Sequence, residues 1–493
     1  MLRVLGSAKR FCDGHTRRDA LWAGGLGLFG LTLADYLRAA EARPAPPVDT
    51  SFGKAKSCIL LYLYGSPSQL ELADMKPDAP LEIRGDLKPI RSSLPGCDVV
   101  ELMPHAARVM DRVTVLRSVT HKYPIHGVAY ATTGIPEIEV AMELSPHDGR
   151  HYPFIGSTIS YMEQQKKQRK AVPDNIALPW SFSSRRTGEV QRAGPYAAYL
   201  GSAYHPHFTN FVGEATIPIT KTLAGKIETF KEPYVGIRPD ARFTLGDTAP
   251  PADITIDRLN ERKSLLQQFD DGRRLRGDAS AGFNAQRETA YALIGSAKVR
   301  EALDVGRESI GLRESYGMTV FGQGALAARR LVEAGSKFVT VFWDEFGLAG
   351  SGWDTHWEHY PRMKNELMPG FDRAFAGLIN DLDQRGMLDD TLVVVLSEHG
   401  RTPQISSAKG GGRDHWSQAY TALFSGGGTA RGKVVGKTDK IGGTVTDRPV
   451  SPKDILATVY HLLGYDLEAV LYDRTNRPHP LNPSGSVVRE LLA

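Results

Sequence analysis

The sequence predicts an α/β fold in which a mainly parallel β-sheet is covered on both faces by helices. Apolar, β-type runs alternate with helical patterns along the chain, as is typical of parallel strands connected by helices. Several runs are apolar at nearly every position, which is expected of strands buried on both faces of a sheet. With 493 residues, 50 of them glycine and 30 proline, the chain has the composition of a loop-rich globular protein.

The predicted elements follow in order from the amino-terminal side. Cys58–Tyr64 is a near-continuous apolar run that predicts a buried strand, and Val113–Leu116 predicts a second, shorter one. Ala302–Ala334 is predicted to be mostly helical and leads into the strand Lys337–Trp343. The stretch from about 180 to 300 is rich in proline, glycine, tyrosine and charge. Because it breaks the alternation, it is predicted to be an insertion that caps the strand ends.

The carboxyl-terminal third continues the same alternation. Phe371–Gln384 has apolar residues at helical spacing, which predicts an amphipathic helix. Thr391–Leu396 and Tyr420–Ser425 are predicted strands, and Pro452–Leu463 is a last predicted helix with Ser451 as its N-cap. The sequence contains no internal repeat, so we expect one α/β domain after the amino-terminal segment.

Residues 1–42 are predicted to be an export signal. Arg17 and Arg18 precede the apolar run Leu21–Leu33, and a small-x-small cleavage site follows at 40–42. Paired arginines favour the twin-arginine route, so its translocation machinery is an expected partner and the periplasm or the cell exterior the expected location. The apolar run is shorter than the ~20 residues that span a bilayer, so no stable membrane span is expected after processing. The alternatives are an uncleaved membrane anchor and a buried helix.

Charge and cysteine content argue against two further classes of protein. The whole chain carries a formal net charge of +4, and residues 1–42 hold six basic and four acidic residues, so their removal leaves +2. A near-neutral surface gives no support for nucleic-acid binding. Cys58 and Cys97 then remain, which allows a single disulfide but no disulfide scaffold. Cys58 lies within an apolar strand and is expected to be a buried thiol.

Three short motifs near the carboxyl end concentrate imidazoles and carboxylates in predicted loops. In open α/β sheets ligands bind beyond the carboxyl ends of the strands, so these loops are expected to converge. Any one of the histidines could instead be an ordinary hydrogen-bonded loop residue, and it is the convergence that favours a metal site. The candidate metal ligands are Asp354, His356, Glu398, His399 and His415.

The donor set indicates which ions such a site would take. Imidazole and carboxylate together favour zinc, manganese or iron over calcium or magnesium alone. We expect two divalent ions, with zinc as the first choice and manganese, iron, calcium or magnesium as alternatives. Glu398 and His399 are adjacent, so both can face one ion only where the chain has left the strand, and Gly400 allows such a turn.

Five segments carry a resemblance to one family, and they are Gly65–Glu71, Asp74–Pro77, Gly352–His356, Glu398–Pro403 and Gly412–Trp416. They resemble the motifs of the exported bacterial proteins known as domain of unknown function 1501, within the alkaline phosphatase-like superfamily that includes the sulfatases. The resemblance extends from about residue 57 to the carboxyl terminus and implies an alkaline phosphatase-like fold with a two-metal site.

The resemblance also implies a role for each matched position. A carboxylate after the first strand and an acid-His pair after a central strand would bind one ion, and these positions are Glu71, Glu398 and His399. An acid and a histidine from one loop, completed by a late histidine, would bind the other ion, and these are Asp354, His356 and His415. Two such cations could bind an ester oxyanion between them and lower the pKa of a water or hydroxyl.

This chain departs from the family pattern in two of the segments that would bind the first ion. Gln69 and Glu71 stand where the family usually has histidine and then aspartate. His399 stands where phenylalanine is common, and it restores the imidazole of alkaline phosphatases and sulfatases. One ligand position is therefore weakened and another strengthened.

The sequence offers no evident nucleophile. The place that matches the sulfatase cysteine or serine lies near Pro124, so formylglycine chemistry is excluded. His126 is a candidate acid, base or extra ligand, and Thr132 and Thr133 are weak candidate nucleophiles. Water activated by the metal would need no side-chain nucleophile.

Arg401 and Arg413 flank the metal motifs and are candidates for binding the anionic oxygens of a substrate, with a structural salt-bridge role as the alternative. The sequence favours an exported metal-dependent hydrolase that acts on a small-molecule or saccharide ester of phosphate or sulfate. The alternative is a non-catalytic periplasmic or surface binding protein that kept the fold. A redox metalloenzyme ranks third, because the sequence contains no cysteine cluster or haem motif.

Overall fold

The computed structural model of the chain describes residues 50–123, 126–135, 143–166, 170, 172–187, 191–223, 226–245, 296–348 and 350–493. The chain divides into two units, Met1–Thr50 and Ser51–Ala493. The predicted export signal at 1–42 lies outside the described residues and stays a prediction. None of the described helices is long and apolar enough to cross a membrane.

An eight-stranded sheet forms the centre of the second unit. Its strands are β1 (Ser57–Leu63), β2 (Val113–Val119), β3 (Asn175–Leu178), β4 (His207–Phe208), β5 (Phe338–Trp343), β6 (Thr391–Leu396), β7 (Tyr420–Ser425) and β8 (Lys433–Val435). Across the sheet the strands lie in the order β8-β2-β7-β6-β1-β5-β3-β4. Neighbouring strands are parallel except where β7 pairs with β6 and with β2. The predicted mainly parallel sheet is confirmed.

Strand β1 lies in the middle of the sheet, between β5 and β6. Ile59 pairs with Val339 on one side and with Val393 on the other. All seven residues of β1 are buried, and Ile59 and Leu60 contribute to two separate hydrophobic cores. Since neighbouring side chains of a strand point to opposite faces, the sheet must be covered on both faces.

Helices provide that cover. The principal helices are α1 (Val128–Thr133), α2 (Ile155–Gln165), α3 (Ala297–Leu303), α4 (Val320–Glu333), α5 (Met368–Gln384) and α6 (Pro452–Leu462). Leu326 of α4 and Leu378 of α5 pack in the core that contains Ile59, whereas Ile159 of α2 and Val459 of α6 pack in the other core. The α/β class predicted from the sequence is confirmed. Other helical segments span Leu81–Arg84, Ile310–Ser315, His359–Arg362 and Met363–Leu367.

The region Ala302–Ala334 is less continuous than its sequence pattern predicts. The side chain of Ser309 accepts a hydrogen bond from the backbone and begins a new short helix at Ile310. Gly317 then adopts a φ of 84°, and the Thr319 side chain caps the start of α4. Serine and threonine compete for backbone hydrogen bonds in this way, and therefore favour helix starts over helix interiors.

The described part of the predicted insertion at about 180–300 contains short strands, and one of them, β4, joins the edge of the central sheet. Whether this stretch acts as a cap stays a prediction. Cys58 and Cys97 are both buried and free, so the optional disulfide is not formed. Two-stranded pairs outside the central sheet are Pro89–Ile90 with Val99–Val100, Arg186–Thr187 with Gly347–Leu348, Asn210–Val212 with Arg242–Thr244, Pro218–Leu223 with Lys226–Lys231, Gly400–Arg401 with His415–Trp416, Lys437–Thr438 with Val445–Asp447, and Val470–Tyr472 with Pro478–Pro480.

Candidate metal centre

The candidate metal centre lies at the edge of the sheet where β1, β5 and β6 end. These strands are parallel, so the loops that follow them meet at one edge. Strand β7 runs antiparallel to β6, and it therefore begins at this same edge. His415, in the segment before β7, reaches the site for that reason, and the loop after β2 brings His126.

Gly65 allows two of these loops to approach each other closely. Its φ is 90°, and a Cβ atom there would lie 2.3 Å from the backbone nitrogen of Asp354. The adjacent residues are joined by a hydrogen bond, in which the Trp353 backbone N–H donates to the Tyr64 carbonyl at 3.0 Å. Only glycine meets both requirements, an open left-handed conformation and no side chain. The loop that carries Asp354 is thereby fixed against the end of β1.

The first group of candidate ligands consists of Asp354, His356 and His415. The Nε2 atoms of the two histidines lie 3.1 Å apart, and they lie 3.0 and 3.2 Å from Asp354 Oδ1. Ligand atoms of a tetrahedral zinc ion with bonds of 2.0–2.1 Å would lie about 3.3 Å apart. His356 Nδ1 lies 2.6 Å from the carboxylate of Asp414, which fixes the ring orientation. The three atoms therefore have the spacing of a metal-binding triangle.

The second group consists of His126, His399 and His415, whose candidate ligand atoms lie within 4.8 Å of one another. His399 is fully buried, and its Nδ1 lies 2.8 Å from the carbonyl oxygen of Gly400. A ring nitrogen that faces a carbonyl must carry the proton, so Nε2 has the free lone pair. Among the described residues Nε2 has no hydrogen-bond partner. Its ring lies 4.4 Å from that of His415.

His126 connects the two buried carboxylates of the centre. Its Nε2 lies 3.3 Å from Asp354 Oδ2, and its Nδ1 lies 3.4 Å from Glu398 Oε1. Glu398 also accepts hydrogen bonds from the Gly65 backbone N–H at 2.7 Å and from the Tyr62 hydroxyl at 3.2 Å. Glu398 is thus held against His126 Nδ1 and lies in neither ligand group. Its predicted role as a metal ligand stays a prediction.

Electrostatics divide the histidines into two kinds. Burial, together with the neighbouring His415 and Arg401, lowers the pKa of His399 well below its ordinary value. Burial alone would also lower the pKa of His126, but Asp354 and Glu398 outweigh it and raise this pKa to about 9. The neutral His399 offers a lone pair at neutral pH. His126 holds a proton that a cation would displace, because a metal ligand must be deprotonated.

Both predicted substrate-binding arginines are fully buried and fully engaged. Arg401 donates to Asp354 Oδ1 at 2.6 Å and to the carbonyls of Gly65, Ser66 and Arg413. Arg413 donates to Glu71 Oε1 at 2.5 Å and to the carbonyls of Thr402, Pro403 and Ile83. These contacts fit the structural alternative, in which Arg401 orients Asp354, and the binding of substrate oxygens by either arginine stays a prediction.

Glu71 lies outside both ligand groups. Its Oε1 accepts from Arg413, while its Oε2 faces His359 Nε2 at 3.6 Å. Burial would raise the pKa of Glu71, but the charges of Arg413 and His359 outweigh it and lower this pKa to about 2. The predicted role of Glu71 as a metal ligand stays a prediction, and its contacts are those of a buried ion pair.

The hydroxyls proposed as weak nucleophiles serve the local backbone. Thr132 Oγ1 donates to the Val128 carbonyl at 2.6 Å within α1, and Thr133 Oγ1 accepts from the Ile135 backbone N–H at 3.2 Å. His121 Nε2 lies 2.8 Å from the carbonyl oxygen of Glu398, so this loop histidine is also hydrogen-bonded to the backbone.

Sequence reasoning missed three residues that shape this centre: Asp414, Tyr62 and Tyr64. Asp414 stands next to the candidate ligand His415 in the same motif. That adjacency was the one signal in the sequence that Asp414 belongs to the site. The two tyrosines lie in an apolar strand, where the sequence pattern predicts core residues. Tyr62 contacts Glu398, 336 residues away in the sequence, and Tyr64 stacks on His126 in the loop after β2, so neither contact has a local signature.

Comparisons with known proteins gave one family match and several remote structural ones. A PsFucS1 sulfatase from Pseudoalteromonas sp. is 11% identical with a TM-score of 0.35, covering 88% of this chain and 70% of its own. A protein of the alkaline phosphatase superfamily from Vibrio parahaemolyticus is 13% identical with a TM-score of 0.35, over 88% and 74%. A phosphonate monoester hydrolase from Silicibacter pomeroyi is 10% identical with a TM-score of 0.32, over 88% and 76%. No curated protein matches.

The family match covers nearly the whole second unit. A family model described as protein of unknown function, DUF1501, matches residues 55–492. This span contains every candidate ligand and all strands of the central sheet. The resemblance inferred from the five sequence motifs is confirmed, and the chain belongs to the DUF1501 family.

Proposed function

We propose that this chain is a divalent-metal-dependent hydrolase of phosphate or sulfate esters. The observation that carries the proposal is the buried Nε2 atom of His399, which has no partner among the described residues and lies beside His415 and His126. A buried polar atom without a partner costs about 1–3 kcal/mol, so it calls for a partner. A neutral imidazole whose other nitrogen donates to a carbonyl has the form of a metal ligand.

The donor atoms suffice for two ions. Asp354 Oδ1, His356 Nε2 and His415 Nε2 would hold one ion, as the sequence predicts. His126 and His399 would hold the other, and Asp354 Oδ2, which lies 3.3 Å from His126 Nε2, would supply a carboxylate oxygen beside them. His415 has a single Nε2 lone pair, and we assign it to the first ion, where its distances are shortest. When bound, two such ions supply Lewis-acid polarisation of an ester oxygen and a lowered pKa for water.

The chain's own residues orient these ligands. Arg401 donates to Asp354, and Asp414 lies at hydrogen-bond distance from His356. Glu398 faces His126 Nδ1 and holds the ring towards Asp354. Outer partners of this kind fix the ligand rings and typically change metal affinity 10- to 100-fold when they are mutated. The arrangement supports a preorganised site and not a chance cluster of exposed acids.

The class of substrate follows from the resemblance of the motifs to alkaline phosphatases and sulfatases. We propose a small-molecule or saccharide ester as substrate, and export through the twin-arginine route to the periplasm or the cell exterior. Zinc is the ion that a donor set of four imidazoles and one carboxylate favours.

A second candidate function is a non-catalytic binding protein that retains the metal centre. The observation in its favour is that Thr132 and Thr133, the hydroxyls that the sequence offers as nucleophiles, are engaged with the local backbone. Metal binding is common to both candidates, whereas ester hydrolysis belongs to the first alone.

Elemental analysis and a substrate screen test the proposal together. We expect about two ions per chain in the wild type, about one in His399→Gln, and fewer than one in Asp354→Asn, because Asp354 serves both ions. The exposed His147 provides the control, and His147→Ala is expected to keep the wild-type metal content. Aryl phosphate, aryl sulfate and phosphonate monoester substrates then separate the candidates. Metal uptake without turnover of any of them would favour the binding protein, and no metal uptake would overturn both.

A further inference from the structure

Tyr64 has a buried hydroxyl that the described protein groups do not use. The side chain is 0% exposed, and its hydroxyl has no hydrogen-bond partner among the described residues. Buried tyrosine hydroxyls usually find a partner, because desolvation without one costs about 1–3 kcal/mol. Tyr64 follows β1 directly, at the edge of the sheet where the candidate metal centre lies. The hydroxyl therefore calls for a partner that the centre would bind.

The ring of Tyr64 packs directly on the centre. It stacks on the imidazole of His126, with centroids 5.3 Å apart and an interplanar angle of 28°. The edge of Phe182 contacts it on another side, at 5.4 Å and 78°. The backbone is fixed by the Trp353 N–H, which donates to the Tyr64 carbonyl at 3.0 Å. Tyr64 is thus positioned by the loop that also carries Asp354.

The Tyr64 hydroxyl is a neutral hydrogen-bond donor at neutral pH, because a phenol ionises only at about pH 10. Burial raises the pKa of Tyr64 well above its ordinary value, and the carboxylate of Glu345 raises it further. Tyr64 therefore offers a neutral O–H donor on a ring that contacts the candidate ligand His126.

We propose that the Tyr64 hydroxyl donates a hydrogen bond to a non-bridging oxygen of the phosphate or sulfate group that binds at the metal centre beside His126. This inference rests on the proposed function and adds the residue that contacts the anion. The guanidinium groups of Arg401 and Arg413 already donate to buried carboxylates and backbone carbonyls, so the anion needs other hydrogen-bond donors. Tyr64 provides one, because its ring stacks on His126 and its buried hydroxyl has no partner among the described residues.

Tyr64→Phe tests this assignment because it removes the hydroxyl and keeps the ring. Wild type and variant are loaded with zinc, with manganese in parallel, and their metal content is measured by elemental analysis. Titration calorimetry then gives the affinities for inorganic phosphate and for inorganic sulfate. We expect unchanged metal content and affinity for the preferred anion lowered roughly 10- to 100-fold, the effect of one hydrogen bond to a charged group. The anion whose affinity changes identifies the ester class.

Tyr199→Phe is a matched control. Tyr199 is also buried, its hydroxyl also lacks a partner among the described residues, and its ring stacks on a histidine, His479, at 4.2 Å. It lies in neither ligand group, so anion affinity is expected to stay at the wild-type value. The melting temperature of Tyr64→Phe should equal or exceed that of the wild type, since loss of an unpartnered hydroxyl does not destabilise the fold.

The outcomes separate this assignment from the proposed function. Normal metal uptake with equal anion affinity in wild type and Tyr64→Phe overturns the role of Tyr64 and leaves the metal centre intact. Normal metal uptake with no binding of either anion by the wild type also overturns the role of Tyr64. A wild-type chain that takes up neither metal overturns the proposed function, and the assignment of Tyr64 with it.

Discussion

Glu71 and Arg413 form a buried ion pair beneath the candidate metal centre, and both side chains are inaccessible to solvent. Arg413 also donates to three backbone carbonyls, and its own carbonyl accepts from Arg401, which in turn contacts Asp354. The pair is thus connected to the candidate ligands through one intermediate arginine. Loss of one partner of a buried pair typically costs 3–5 kcal/mol, because the remaining charge stays buried without compensation.

We predict that Glu71→Gln lowers the free energy of unfolding at pH 7 by about 3 kcal/mol. The pKa of Glu71 is lowered to about 2, from 4.5 in the unfolded chain. Its stabilising effect is therefore complete above pH 4.5 and is lost as the pH falls towards 2. Urea unfolding at pH 7 and pH 3.5 should show that the difference between wild type and variant becomes smaller at the lower pH.

The exposed Glu82 provides the comparison, since Glu82→Gln should change stability by less than about 0.5 kcal/mol at either pH. A difference between wild type and Glu71→Gln that is equal at both pH values would contradict the ion-pair assignment. The same samples show whether Glu71 binds metal. Unchanged metal content in Glu71→Gln is expected if its contacts with Arg413 and His359 define its role.

At the scale of elements, the turn that follows β1 decides how closely the loops of the centre can approach one another. Gly65 and Gly386 both adopt a left-handed backbone conformation, with φ of 90° and 67°. A Cβ atom at Gly65 would lie 2.3 Å from the backbone nitrogen of Asp354, whereas a Cβ atom at Gly386 would have no neighbour within 4 Å. Alanine at Gly386 would therefore cause backbone strain alone, whereas alanine at Gly65 would cause the same strain together with a steric clash.

We predict that Gly386→Ala lowers stability by about 1 kcal/mol, the cost of a left-handed alanine. Gly65→Ala should lower it by at least about 3 kcal/mol and should also reduce metal content, because the loop that carries Asp354 must move. Thermal unfolding and elemental analysis of both variants check this expectation. Equal destabilisation by the two substitutions, with full metal content in each, would show that the close approach at Gly65 has no functional consequence.

At the scale of the whole described unit, the two hydrophobic cores form on opposite faces of the sheet and contain none of the candidate metal ligands. Burial of apolar side chains is the dominant favourable term in folding. The centre is attached to one edge of a sheet that has its own cores, so we expect the chain to fold without any bound ion. This differs from small zinc domains, which are unfolded without metal.

We predict that chelation lowers the melting temperature by a few degrees but leaves the far-ultraviolet circular dichroism spectrum unchanged. Metal at 100 times its dissociation constant would stabilise the native chain by about 2.7 kcal/mol through mass action. Asp354→Asn should show little dependence of its melting temperature on added metal, since it lacks the shared ligand. Complete loss of secondary structure on chelation would instead mean that the ions are structural.

The sequence by itself determined the α/β class, the buried strands and the chemical types of the donor set. Lys337–Trp343 and Thr391–Leu396 are apolar runs whose pattern matches the strands Phe338–Trp343 and Thr391–Leu396 almost residue for residue. Strand burial and helix amphipathicity are local properties, because they follow from the period of apolar residues along the chain. For the same reason the loops that carry Asp354 and His399 could be placed at strand ends from the sequence, whereas His415 could be placed only in a glycine-rich loop.

The tertiary structure alone decided which atoms face the centre. It orients Glu398 towards His126 and Gly65, 333 residues away from the latter in sequence, and it engages Arg401 and Arg413 with carbonyls that no motif reveals. It reverses β7, which brings His415 to the edge where β6 ends. It also stacks the Tyr64 ring on His126 and buries the Tyr64 hydroxyl. A side chain's hydrogen-bond partners lie on segments that come together only when the chain folds. Residue type and spacing therefore do not predict those partners.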